Sequence, residues 1–375
     1  MKISSAIQNL QRSLIRKIFE ESLNYKDVIN LTIGDPDIAT PRELVMEAVK
    51  LVERGHFGYP PSGGGMEIRK LVAETYNKHF GTAYTGDNVI MNTGSSEALA
   101  CAVRTILDPG DEVIIFAPYY PAHVPLVEMS FAKPVIVDIS KTGFKITPEL
   151  LAAAMTEKTK AVIFCNPCNP TGVVMSREEI SAICDYLADK DVFILADEIY
   201  NRIVYTDYVS FGAFPQVADK LIITNGFSKS HSMTGWRMGY TIGPKELYPY
   251  FLNNSGFTVG SPAAISLEAA KIALTKFDDL AWLAAEYKKR VDYMTAALTE
   301  LGYKVVPCEG AFYLFVNYEN LSGKDSLDFA IDLLKQVQVA VVPGKAFGSE
   351  GYFRLSLTVG VERLKEAVAR IKNYK

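Results

Sequence analysis

Ala161-Val162-Ile163-Phe164-Cys165-Asn166-Pro167-Cys168-Asn169-Pro170-Thr171-Gly172, followed by Val192-Phe193-Ile194-Leu195-Ala196-Asp197-Glu198-Ile199-Tyr200, decides the fold. Each stretch opens with an apolar run too short for a helix and without polar alternation. Between them, Glu178–Leu187 carries apolar residues at helical spacing. Buried strand, helix, buried strand is the unit of a parallel sheet covered on both faces. The pattern extends outward in both directions. Further runs stand at Val89–Met91, Val113–Phe116 and Val135–Val137 upstream, and at Leu221–Thr224 and Met238–Ile242 downstream, with a helical segment at Glu97–Leu107. The reading is an α/β fold whose large domain, residues 44–272, holds a mostly parallel seven-stranded sheet between helices.

The chain ends read differently. Ser13–Leu23 is expected as a helix and Val28–Ile33 as a short strand, followed by a Gly/Pro loop from Gly34 to Pro41. Pro41 opens a helical run with Leu44, Val45, Ala48, Val49 and Val52, and a glycine-rich loop spans Gly55–Gly65. After Pro262 a long helical stretch is expected through Lys276–Leu301. Strands follow at Tyr303–Val306, Ala311–Val316, Val339–Val342 and Phe353–Ser356, and then a helix at Val361–Asn373. Residues 1–43 and 273–375 are therefore expected to form a smaller α/β domain from both chain ends. No internal repeat or low-complexity segment interrupts this plan.

Composition narrows the function classes. The 375 residues are 49% hydrophobic and 22% charged with net charge -4, which argues against a basic nucleic-acid surface. The opening MKISSAIQNLQRSLIRKIFE is amphipathic and lacks an apolar core before a cleavage site, so no signal peptide is expected. No apolar stretch is long enough for a membrane helix. Five cysteines, an odd number in a large chain, point away from a disulfide framework and towards a reducing cytoplasm.

Chemistry-bearing residues cluster just after the apolar runs, where ligands gather in open α/β sheets. Thr93-Gly94-Ser95-Ser96-Glu97-Ala98-Leu99 follows a run and opens a helix, whose free amides and dipole make an anion cradle; a plain serine cap is the alternative. Asn166–Gly172 contains two Asn-Pro pairs, more than a turn alone requires. Asp197 ends a buried run and needs a cationic or protonated partner, which a core salt bridge could also supply. Lys229 lies past Leu221–Thr224 among small and hydroxylic residues. A partly buried lysine near other cations loses basicity and becomes nucleophilic. Arg237 offers a planar fork for phosphate. Together they form the set that a phosphorylated pyridine aldehyde requires: an amine for the imine, a carboxylate for the ring nitrogen, donors for the phenolate and an anion grip.

In this combination the chain resembles the fold-type I pyridoxal-phosphate enzymes, specifically the class I/II aminotransferases, from Ile15-Arg16-Lys17-Ile18 to Phe353-Arg354-Leu355-Ser356. The resemblance implies pyridoxal 5'-phosphate as cofactor, with Lys229 as the lysine that links it and moves the substrate proton. It implies Asp197 as partner of the pyridine nitrogen, and Asn169 and Tyr200 as donors to the phenolate oxygen. Ser95, Ser96 and Arg237 match the phosphate grip, and Tyr120 matches the aromatic stacked on the ring. Arg354, helped by the backbone at Gly34 and by Asn169, matches the clamp on the substrate carboxylate. Tyr59 matches a tyrosine reaching the phosphate of a neighbouring subunit, which implies a homodimer. Amino acids and 2-oxo acids are the implied substrates, with no nucleic acid or membrane partner. A β-lyase acting on sulfur amino acids is the alternative on the same scaffold.

One position departs from the family pattern: Gly226 stands where a phosphate-binding Ser or Thr is common, leaving Ser228 as a substitute of unknown direction. Cys165 and Cys168 have the spacing of a metal or redox pair, but no second cysteine pair stands at zinc-site spacing, and no metal is expected. His231, two residues past Lys229, reads as packing. Arg16 and Arg202 are the candidates for a second arginine that would grip a side-chain carboxylate.

Overall fold

The seven apolar runs all form strands of one sheet in the computed structural model, which describes residues 3–8, 10, 12–55 and 58–375. These strands are β1 Val89–Asn92, β2 Glu112–Ala117, β3 Lys133–Asp138, β4 Thr159–Cys165, β5 Phe193–Asp197, β6 Leu221–Gly226 and β7 Gly239–Ile242. Their spatial order is β1-β7-β6-β5-β4-β2-β3. β2 to β6 run parallel, while β7 is antiparallel to both its neighbours. Every residue of β2 and β6 is buried, as strands covered on both faces must be. The edge strand β3 instead exposes Lys133, Val135's neighbourhood being only half-buried; a charged lysine there discourages further strand addition.

Alternate residues along each strand feed two apolar layers. Val162, Phe164, Ile194 and Ala196 pack on one face with the helices Met66–Phe80, Arg177–Leu187 and Ala264–Lys276. Ala161, Ile163 and Leu195 pack on the other with Ser95–Ile106, His123–Met129 and Tyr248–Val259. The helix Arg177–Leu187 starts on a capping box in which Ser176 and Glu179 each bond the other's backbone amide.

A second body is built from both chain ends. Ile29–Asn30 pairs in parallel with Val339–Ala340. Beside it stands a four-stranded antiparallel sheet of β8 Lys304–Val305, β9 Tyr313–Asn317, β10 Val342–Pro343 and β11 Tyr352–Ser356, in the order β10-β11-β9-β8. Ile18, Ile29 and Leu31 share one core with Leu314, Phe329 and Leu364.

Several local expectations change. The stretch through Lys276–Leu301 is two helices, Ala264–Lys276 and Ala281–Glu300. The break falls at an aspartate pair: Asp279 accepts from the Ala281 amide at 3.2 Å, while Asp278 turns to Lys78, His79 and Arg202. The first of these helices runs through position 272 and packs on Arg42–Glu53 and Met66–Phe80. Of Val28–Ile33 only Ile29–Asn30 pairs as a strand, and Leu31 instead bridges the two small sheets of the second body through Ala340 and Ser356. The helices Met66–Phe80 and Ser326–Val337 were not foreseen. His56 and Phe57, in the expected Gly55–Gly65 loop, lie outside the described residues. Among the described residues, no helix is long and apolar enough to cross a membrane.

Candidate active site

Because β1 lies parallel to β6, the carboxyl ends of β1, β2, β4, β5 and β6 share one edge of the sheet. Each delivers one piece there. β1 leads through Gly94 into the helix starting at Ser95, and β2 leads to Tyr120. β4 leads to Asn169, β5 ends on Asp197, and β6 is followed by the single helical turn Phe227–Ser230 carrying Lys229. The second body closes the other side with Thr32–Gly34 and with Arg354 on β11. A cavity of about 200 Å³ lies between, lined by Ser95, Tyr120, Asn169, Asp197, Tyr200, Lys229, Gly34, Tyr313 and Arg354 among others.

Two cations meet on one short backbone segment. Lys229 Nζ donates to the Gly34 carbonyl at 2.6 Å, and Arg354 Nη2 donates to the Thr32 carbonyl. Arg354 Nη1 donates to Asn169 Oδ1 at 3.0 Å, and the guanidinium stacks 4.4 Å from the centre of the Tyr313 ring. Its buried Nε has no partner. Tyr200 and Tyr313 share a hydroxyl–hydroxyl bond of 2.8 Å. Asp197 is buried, with one carboxylate oxygen accepting from the Ile199 amide at 3.3 Å and the other facing His123 Nε2 at 3.4 Å.

The anion cradle depends on three backbone approaches. Gly94 caps the Ser95–Ile106 helix at φ +81°, and a Cβ there would lie 2.6 Å from Arg237 Nη2. A Cβ on Gly239 would stand 2.5 Å from the Gly94 carbonyl carbon and 2.6 Å from the Ser95 nitrogen. A Cβ at Gly226 would meet the Met238 oxygen at 2.8 Å. This explains the departure at Gly226: β6 and β7 lie too close there for serine or threonine. Ser228 is buried and is not among the cavity-lining residues.

The sequence profile described as "Aminotransferase class I and II" matches residues 26–371. The chain belongs to this family. The aminotransferase is 40% identical over 371 residues to the "Probable N-acetyl-LL-diaminopimelate aminotransferase" of Bacillus subtilis, covering 98% of this chain and 94% of the relative. It is 36% identical to the "Aspartate aminotransferase" of the same organism, covering 100% and 99%. Among solved structures, the aspartate aminotransferase of Thermus thermophilus with maleate superposes with a TM-score of 0.95 at 31% identity, over 100% of both chains.

Burial sets the electrostatics of the aminotransferase's cavity. Burial, aided by the Arg354 and Arg237 charges and opposed by Asp35 and Asp197, pushes the Lys229 amine down to about 8. An amine in that range is still mostly protonated at neutrality, but its free-base fraction, roughly a tenth, far exceeds that of an exposed lysine and can act as nucleophile or base. Burial, then the Asp197 charge, pushes the Tyr120 phenol up to about 12. Burial also drives the Tyr200 phenol up and weakens the hold of Arg354 on its proton. Tyr120 and Tyr200 therefore face the cavity as neutral donors.

The remaining sequence candidates fall outside the aminotransferase's cavity. Ser96 does not line the cavity but lies near Tyr120 and eases its ionisation slightly. Arg237 donates to the Thr234 carbonyl at 3.0 Å beside the cradle. Arg202 is bound to Asp278 at 2.9 Å on a separate groove, and Arg16 is an exposed surface residue; neither lines the cavity. Tyr59 is fully exposed and does not reach the cavity of its own chain. His231 is held neutral by burial, pushed down to about 4, and pairs with the Ser230 hydroxyl at 2.8 Å. Sequence reasoning missed His123, Tyr313 and Thr32. His123 stands three residues after Tyr120 and carried only the signal of a histidine in a buried segment. Tyr313 and Thr32 act through contacts between distant parts of the chain.

Proposed function

We propose that the chain binds pyridoxal 5'-phosphate in this cavity and moves an amino group between an L-amino acid, aspartate-like or aromatic, and a 2-oxo acid such as 2-oxoglutarate. The observation that carries the reading is the convergence of Lys229 and Arg354 on Thr32–Gly34, with Asp197 lining the same cavity. The donor set fits the cofactor. The glycine cradle at Gly94 and Gly239, with Ser95, Ser96 and Arg237, suits a phosphate at a helix N-terminus. Tyr120 offers an aromatic face, Asn169 and Tyr200 offer donors to a phenolate, and Asp197 offers a carboxylate to a ring nitrogen. When bound, pyridoxal phosphate supplies an aldehyde for amines and a ring that accepts electrons from the substrate's Cα bond.

The chain's own residues then divide the work. Lys229 would hold the cofactor through its aldehyde and would carry the proton from the substrate's Cα. Its lowered basicity suits that role. Arg354 grips the substrate carboxylate as a two-pronged donor and so fixes which Cα bond faces the ring. Its unpartnered Nε supports this role. Asp197 keeps the ring nitrogen protonated, and His123 steadies that carboxylate from behind.

Arg202 is held by Asp278, so a cation for an aspartate-like side chain would have to come from a partner subunit. We propose a homodimer in which Tyr59, fully exposed in one chain, donates to the partner's phosphate. Gly63 is packed on Tyr248 and Leu252, which holds this loop on the helix Tyr248–Val259 and away from its own cavity. The reading also includes a chain divided at 43/44 and near 272/273, and a cytoplasmic location in keeping with five free cysteines.

The test is a panel of amino donors, including aspartate, tyrosine, phenylalanine and N-acetyl-LL-diaminopimelate, with 2-oxoglutarate as acceptor. Glutamate formed in step with consumption of one donor supports the proposal. Pyruvate and ammonia released from a sulfur amino acid without an acceptor would replace it with a β-lyase.

A further inference from the structure

Cys165 and Cys168 are not used by the proposed reaction, although they belong to the loop that carries Asn169. Both thiols line one small apolar-walled cavity with Pro118, Tyr119, His123 and Thr171. Each lies near enough to shift the other's titration. Cys165 Sγ donates to the Pro167 carbonyl at 3.4 Å and accepts from the Asn169 amide at 3.5 Å. Cys168 Sγ lies 3.8 Å from the Pro118 carbonyl, which accepts from it. Among the described residues, no group of three His, Cys, Asp or Glu side chains could hold a metal ion, so this pair lacks the further ligands that a zinc site requires.

We propose that Cys165 and Cys168 form a reversible dithiol–disulfide site, oxidised by a small hydroperoxide, whose state sets the position of Asn169 and through it the carboxylate grip of Arg354. Two residues separate the cysteines in sequence, and both line the same small cavity, which lets the loop bring the sulfurs together into an S–S bond of about 2.05 Å. The two thiols are also unequal. The neighbouring Cys165 and Thr171 favour the thiolate of Cys168, while Cys168 and then burial disfavour that of Cys165. This is the asymmetry of an attacking and a resolving cysteine. The cavity admits water-sized species, with about 40 Å³ open to them. That favours hydrogen peroxide over a bulky disulfide as the oxidant.

The chemistry balances. The Cys168 thiolate attacks one peroxide oxygen. The O–O bond breaks, hydroxide leaves and takes up a proton as water, and Cys168 becomes a sulfenic acid. The Cys165 sulfur, giving up its proton, then attacks the Cys168 sulfur and expels the hydroxyl as a second water. Two thiols lose two electrons and the peroxide gains them. A dithiol reductant reverses the change. In a reducing compartment such a disulfide is transient and regulatory rather than structural.

The consequence follows from two hydrogen bonds. The Asn169 amide rests on Cys165 Sγ, and Asn169 Oδ1 accepts from Arg354 at 3.0 Å. Drawing Cys165 towards Cys168 pulls the amide and loosens the Arg354 partner. KM for the carboxylate substrates should rise about ten-fold, the worth of one charge-assisted hydrogen bond.

The experiment treats the cofactor-loaded enzyme with hydrogen peroxide, blocks free thiols and maps peptides by mass. Expected is a Cys165–Cys168 link, with two hydrogens lost and Cys101, Cys184 and Cys308 still free. Dithiothreitol should restore both thiols and KM together. Cys168→Ser should keep basal activity and show no peroxide-dependent rise in KM. The proposal is overturned by a link from either cysteine to Cys308, whose Sγ lies beside Gly172, by sulfinic acid on Cys168 without a link, or by unmodified thiols. It is equally overturned by a Cys165–Cys168 link that leaves KM unchanged. The linkage readout stands whether or not the aminotransferase substrates are those proposed above.

Discussion

Gly34→Ala isolates one steric requirement of the cavity. The backbone at Gly34 lies outside the left-handed region, so alanine can adopt it without conformational strain. The obstacle is Tyr313: a Cβ at Gly34 would collide with its hydroxyl and stand 2.9 Å from its Cζ. Carbon atoms prefer separations of about 3.5–4.0 Å, so either the buried ring or the Thr32–Gly34 segment must retreat by roughly an ångström. That segment holds Lys229 through the Gly34 carbonyl and Arg354 through the Thr32 carbonyl. A one-ångström misplacement of reacting groups costs on the order of 100-fold, so kcat/KM should fall by about that factor. Stability should change far less. Overpacking costs about 1–3 kcal/mol and the stiffer unfolded chain returns about 0.4–1 kcal/mol. The assay measures kcat/KM and melting temperature for Gly34→Ala, Tyr313→Phe and the double variant. Tyr313→Phe loses the bond to Tyr200 but removes the closest collision and leaves only the ring-carbon contact, so Gly34→Ala should do less harm in that background. An equal loss in both backgrounds, or wild-type activity in Gly34→Ala, would refute the reasoning.

Lys229→Ala should lose any borohydride-reducible link to the cofactor and lower turnover by orders of magnitude; a surviving link would assign the anchor to another lysine. In cofactor-free protein, amine labelling at Lys229 should rise with pH through about 8 and level off above it, because the free base is the reactive form; a midpoint near that of exposed lysines would show that burial leaves its basicity intact. Asp197→Ala should still take up cofactor yet turn over poorly, and near-wild-type rates would remove Asp197 from its assigned role. Tyr59→Phe should weaken cofactor affinity about 10- to 100-fold, the worth of one hydrogen bond to a charged group. In proven hybrids of Tyr59→Phe with Lys229→Ala subunits, the one live site should bind cofactor with wild-type affinity if Tyr59 crosses the interface, and with the weakened affinity of Tyr59→Phe if it does not.

The large sheet was legible because β1, β2, β4, β5 and β6 are buried on both faces and so read as unbroken apolar runs. Residues placed by those strands, namely Ser95, Tyr120, Asn169, Asp197, Tyr200 and Lys229, were legible with them, since each follows a run at the same edge. The failures have a different cause. The break between Lys276 and Ala281 comes from Asp278, which gathers Lys78, His79 and Arg202 from two other elements. Within its own segment it looks like one more polar helical residue. Arg202 failed as a substrate arginine for the same reason, because its partner lies far along the chain. Gly226 looked like a missing hydroxyl and is instead a close approach between β6 and β7.

Charge pairing distinguishes Arg354 from two other buried arginines. Arg290 is buried and bound to Asp37 at 2.7 Å, with Glu286 at 3.4 Å. Arg69 is buried and reaches Asp87 at 3.8 Å while donating to the Val89 carbonyl. Arg354 is as deeply buried as either and faces only neutral acceptors: Asn169, Thr32 and the Tyr313 ring. A buried guanidinium without an anion is costly, and its Nε is left without an acceptor. Lys229 stands in the same cavity with a carbonyl as its partner rather than a carboxylate. The fold thus holds Arg354 without an ion-pair partner beside Lys229, which feels the Asp35 and Asp197 charges but bonds a carbonyl; the carboxylate of an amino or oxo acid would complete the balance at Arg354. Loss of Arg354 should therefore weaken binding of the substrate carboxylate while relieving the folded chain of an uncompensated charge, so activity and stability should move in opposite directions in Arg354→Met.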